Sequence, residues 1–76
     1  MSKIGQRGRT VLELFRRVAG DQPAALRHEE IFRLLGDAQK ARLGSRELMQ
    51  RGLAIDVGET LALTDAGLKA LRKLPV

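Results

Sequence analysis

The stretch GDAQKARLGSRELMQRGLAIDVGETLALT, residues 36–64, changes hydrophobic period in its middle, and that change decides the fold class. Up to Arg51 the residues Ala38, Ala41, Ser45 and Leu48 recur at spacings of three and four, which places them on one face of a helix. Asp37 stands where a side-chain oxygen caps a first turn, and Gly52 stands where a helix ends in the left-handed conformation. Gly44 costs a helix interior about 1 kcal/mol relative to Ala, so a break at Gly44-Ser45 is the alternative to one helix over 37–51. Beyond Gly52 the runs Leu53-Ala54-Ile55-Asp56-Val57 and Thr60-Leu61-Ala62-Leu63-Thr64 flank the turn candidate Gly58-Glu59. Their partial and clean alternation is that of a short hairpin with Leu61 and Leu63 on one side. An amphipathic helix running into a hairpin within so short a chain predicts an α+β domain.

Working outward, RHEEIFRLL (27–35) reads as a helix that carries Ile31, Phe32, Leu34 and Leu35. Glu29 and Glu30 sit near its amino terminus, where the helix dipole favours negative charge, and Gly36 closes it. Ala24-Ala25-Leu26 reads as a minimal strand, with the approach to that helix as the alternative, after a connection at Asp21-Gln22-Pro23. RTVLELFRRVA (9–19) sets Val11, Leu12, Phe15, Val18 and Ala19 on one stripe of a first helix that Gly20 ends. Downstream, Thr64-Asp65 offers a cap for a last helix bearing Leu68, Leu71 and Leu74, which stops before Pro75. Gly67, in its first turn, removes a side chain where this helix and the hairpin approach each other.

At 76 residues the chain has room for one small core, filled by aliphatic residues because Phe15 and Phe32 are its only aromatics. It has no cysteine, so neither a disulfide framework nor a cysteine-based zinc site holds the fold. No run approaches the roughly 18 apolar residues of a transmembrane helix, and Met1-Ser2-Lys3-Ile4-Gly5 lacks the apolar core of a secretory signal. The expectation is a cytoplasmic protein without a membrane partner. The net charge is +5, from 14 Lys and Arg against 9 Asp and Glu, which favours an anionic partner without identifying one.

The order helix, strand, helix, helix, hairpin, helix is that of a winged helix-turn-helix domain, and particular residues carry the likeness. EEIFRLLG resembles the second helix of bacterial winged helix regulators. ELMQRGLAI resembles the end of their recognition helix and the start of the first wing strand. LALTDAGLKAL is similar to the second wing strand and following helix of regulators of the MarR (multiple-antibiotic-resistance) type. The resemblance spans residues 7–73 and implies a three-helix core, a two-stranded wing and a carboxyl-terminal helix over 9–74, preceded by a basic arm at 1–8. It also implies sequence-specific binding of double-stranded DNA in transcriptional control, often as a homodimer on symmetric half-sites. For such a dimer the apolar residues of the last helix offer a surface. One departure stands out: the wing tip Asp56-Val57-Gly58-Glu59-Thr60 carries two acids and no base, which phosphates would repel. Either the wing lies away from a duplex, or it contacts another protein, or the domain binds no DNA.

Helical projection leaves Gln39, Arg42, Leu43, Arg46 and Gln50 on the outer face of the third helix. Arg bonds guanine and Gln bonds adenine in bidentate fashion, and Leu meets a thymine methyl. The plain alternative is that Arg and Gln are good solvated helix formers. Lys3, Arg7 and Arg9 form a glycine-interleaved basic arm of the kind that tracks phosphates, unless it is simply a loose terminus. Arg16, Arg17, Lys69, Arg72 and Lys73 read as solvated faces. His28 has no second His or Cys with which to hold a metal. With no phosphate-binding glycine loop, no cysteine nucleophile and only Ser2 and Ser45 as serines, the sequence predicts a binding domain without cofactor or metal, and not an enzyme.

Overall fold

The computed structural model describes residues 4–19 and 25–74. Its elements are α1 (Gln6–Ala19), β1 (Ala25–Arg27), α2 (His28–Leu35), α3 (Ala38–Gln50), β2 (Ala54–Val57), β3 (Thr60–Leu63) and α4 (Asp65–Arg72). Lys3, Gly20, the 21–23 connection, Ala24 and Pro75 lie outside the described residues, as does the side chain of Ala19.

Local chemistry fixes most of the boundaries. Asp37 adopts an extended conformation, and its carboxylate accepts from the N–H groups of Gln39 at 3.0 Å and Lys40 at 3.1 Å, two of the donors that the first turn of α3 cannot satisfy internally. At the other end Gly52 takes φ 73°, Gly52 N donates to Met49 O at 3.1 Å, and Leu53 N reaches back to Leu48 O at 2.8 Å. A residue with a Cβ would be strained there, so the glycine is what allows the chain to leave the helix as a strand. The hairpin turns through Gly58 and Glu59 with positive φ at Gly58 alone, the pattern of a type II′ turn. Thr64 caps α4 by accepting from Gly67 N at 3.1 Å while its hydroxyl donates to Gly52 O at 2.7 Å. One side chain thereby ties the start of α4 to the exit of α3.

The sheet has three antiparallel strands in the order β1-β3-β2, so the expected two-stranded hairpin gains a third member. Leu26 pairs with Leu61, and Asp56 faces Leu61 from the other side. The core gathers Val11, Leu12, Leu14 and Phe15 of α1 with Leu26, Ile31, Ala41, Leu48, Ala54, Leu61 and Leu71, each at most 8% exposed. Leu68 and Leu74 pack against this cluster, so the leucines of α4 serve their own core.

One expectation, the stripe of α1, is corrected, and α2 proves to bury little of its apolar surface. Val18 is 52% exposed, because the apolar stripe continues into the last turn of α1 while the buried cluster stops at Phe15. On α2 only Ile31 is fully buried, with Leu35 packed partly against the core, whereas Phe32 and Leu34 are exposed. At 100° per residue those two fall on opposite flanks of the Ile31–Leu35 stripe.

Gly44 does not break α3. A Cβ there would lie 2.5 Å from the carbonyl oxygen of Arg7 and 2.5 Å from Val11 Cγ2, so its absence is what lets α1 and α3 approach this closely. Gly67 plays the same part at the other end of the core, where a Cβ would overlap the carbonyl oxygen of Leu53.

Candidate nucleic-acid interface

With its inner face fixed by Ala41, Gly44, Ser45 and Leu48, α3 turns a second face outward. Gln39, Arg42, Arg46 and Gln50 are exposed and Leu43 is half-buried among them, so the five residues expected on the outer face do share it. By helical projection they occupy roughly 100° of the circumference. Neither Arg42 nor Arg46 has an ion-pair or hydrogen-bond partner among the described residues.

The expected basic arm is corrected. α1 begins at Gln6, so Arg7 and Arg9 lie in helix, and Arg9 pairs with Glu13 across one turn at 3.4 Å. No side chain within 5–9 could cap this start, and none of the first-turn residues is acidic. The cap comes from α3: Glu47 accepts from Gly5 N and, at 3.0 Å, from Gly8 N, and its carboxylate also meets Arg51 Nε at 3.2 Å. Burial pushes the Glu47 carboxyl up, but the two backbone donors and Arg51 together outweigh it and hold the carboxyl below its ordinary value. A negative charge at a helix amino terminus also complements the helix dipole.

This junction leaves an open cleft of about 490 Å³ between the start of α1 and α3, lined by Gly5, Gln6, Arg7, Thr10, Lys40 and Glu47. Lys40 is the residue that sequence reasoning missed. Only once α1 is known to begin at Gln6 does Lys40 stand opposite Arg7, and neither cation has a partner among the described residues.

The hairpin tip differs. Asp56 Oδ1 lies 3.1 Å from His28 Nε2, and Glu59 lies 3.6 Å from Arg27. Both acids therefore have a basic neighbour, supplied by β1 and the start of α2. Ile55 and Val57, on the face of β2 opposite Asp56, are 54% and 56% exposed. Among the described residues no group of three or more His, Cys, Asp or Glu could hold a metal ion, and no helix is long and apolar enough to cross a membrane.

The chain matches no family profile, no curated protein and no solved structure. It is a compact α+β domain of four helices and a three-stranded antiparallel sheet among the described residues.

Proposed function

We propose that this chain is a winged helix-turn-helix domain of the MarR-like kind that binds double-stranded DNA, with α3 in the major groove and transcriptional control as its role. The order of elements supports the first part, since α2 and α3 are joined by Gly36 and Asp37 and are followed by a hairpin and a helix. The observation that carries the second part is the outer face of α3, where two arginines without a partner among the described residues stand between two exposed glutamines. A major groove about 12 Å wide admits a helix, and these side-chain types match the hydrogen-bonding edges of guanine and adenine. In this reading the domain works by binding, without a cofactor, and a second copy of the chain on a neighbouring half-site would raise affinity.

A different reading has one observation in its favour. Ile55 and Val57 expose apolar surface on an edge strand beside the acidic tip, which suits a protein partner instead of a phosphate backbone.

Titration of labelled random-sequence duplex across a salt series separates the two. The DNA reading expects binding that weakens steeply with salt, and absence of binding at low salt leaves the protein-interaction reading standing. Once a preferred sequence is selected, Arg46→Ala is expected to cost about 1–3 kcal/mol on that sequence and to relax preference at one position. An Arg46→Ala protein that stays folded with unchanged affinity and preference removes α3 as the reading helix.

A further inference from the structure

The cleft between the start of α1 and α3 belongs to no part of the base-reading face, and its chemistry is distinct. Lys40 lies roughly 100° around α3 from the centre of the Gln39, Arg46 and Gln50 face, by helical projection. An α-helix with its side chains is about 10–12 Å across and so fills a major groove, which leaves the phosphates along the flanks of the helix and not at its tip. Lys40 occupies one such flank, and the first turn of α1 brings Arg7 to the same cleft.

Two cations thus line an open cleft without any partner among the described residues. The one acid in the lining, Glu47, is already engaged by Gly5 N, Gly8 N and Arg51, so its charge is compensated within the molecule. The same carboxylate already serves the amino terminus of α1, so an anion entering the cleft would be held by the two side chains and not by the helix end. Thr10 donates its hydroxyl proton to Gln6 O at 2.8 Å and does not compete for it.

We propose that Arg7 and Lys40 form a phosphate clamp that holds the sugar–phosphate backbone of a nucleic acid beside α3, independently of base sequence. This rests on the DNA-binding reading above and adds to it the strand contact that would set how α3 lies in the groove.

The test compares the full-length chain with an Arg7→Gln, Lys40→Gln double variant and with Arg46→Ala, on two duplexes of unrelated sequence, from about 50 to 200 mM salt. Both cations are exposed, so unfolding midpoints should match, and an Arg7→Lys, Lys40→Arg variant that keeps both charges should bind like the original. If the clamp exists, the double variant weakens binding by the same factor on both duplexes. The slope of log affinity against log salt then becomes shallower by ~0.9 for the clamped phosphate that is no longer neutralised. A double variant that matches the original while Arg46→Ala binds more weakly overturns the clamp and leaves the DNA reading intact. Loss confined to one of the two duplexes also overturns it, because these residues would then be reading bases. Failure of the original chain to bind either duplex at the lowest salt overturns both proposals together.

Discussion

Two ends of the molecule carry charge in opposite ways. At the hairpin tip each acid has a base beside it: Asp56 has His28, and Glu59 has Arg27. Where α1 meets α3 the acid is consumed internally by Glu47's three donors, and Arg7, Lys40, Arg42 and Arg46 are left without partners among the described residues. A net charge of +5 says nothing about this distribution. What matters for recognition is which charges the fold has already answered: of the described cations left without a partner, Arg7, Lys40, Arg42 and Arg46 lie on α3 and its flank, and Arg17, Lys69 and Lys73 lie on α1 and on α4 and its carboxyl cap.

The strongest way to break the contrast is to separate α1 from α3. Gly44→Ala places a methyl group 2.5 Å from a backbone carbonyl that cannot swing aside, and should cost about 3 kcal/mol, the upper end of typical overpacking penalties. Chemical denaturation measures the cost. Amide chemical shifts should move most around residues 5–11 and 40–48 and least at the hairpin tip; equal movement throughout would mean that the two ends are not independent.

Glu47 gives the next effect. Its carboxyl lies below its ordinary value in the folded protein, so the ionised form stabilises the fold. That stability is fully present above the unfolded-state value and is lost as pH falls through the folded-state value. Glu47→Gln should therefore be less stable than the original near neutral pH by about 1–2 kcal/mol, comparable to the loss of a helix cap. The gap should narrow as acid protonates Glu47. A gap that stays constant from pH 7 to pH 3 would show that charge is not what caps α1.

Smallest of all should be the Arg27–Glu59 pair, whose side chains are 65% and 86% exposed. A double-mutant cycle with Arg27→Gln and Glu59→Gln should return a coupling below about 0.5 kcal/mol, falling further with salt. A coupling above about 1 kcal/mol would mean that the tip is organised by its charges, and the contrast with the other end would need another basis.

The elements that could be read from sequence are those whose signals are local. Asp37, Gly52 and, through its cap on Gly67 N, Thr64 act within a few residues of themselves, so α3, the hairpin and the start of α4 fall where their caps place them, and the outer face of α3 follows from projection. Signals that cross the fold are illegible. Gly5-Gln6-Arg7-Gly8 contains nothing that announces a helix, because its cap is Glu47 on α3. Gly44 reads as a defect until its neighbour is known to be the backbone of Arg7. Arg27 and His28 become neighbours of the acidic tip only through the pairing of β1 with β3. Exposure of Val18, Phe32 and Leu34 likewise depends on what lies opposite them, which periodicity does not report.

The cap of α1 by Glu47 also has a consequence in time. The chain is made from its amino terminus, so Gly5 and Gly8 leave the ribosome about forty residues before their acceptor exists. Until α3 has emerged, the first turn of α1 has free donors, two glycines and no cap, and a lone helix of 14 residues is marginal in water even with a good sequence. That turn therefore settles after the rest of α1, and it can be made only by a chain that already contains α3.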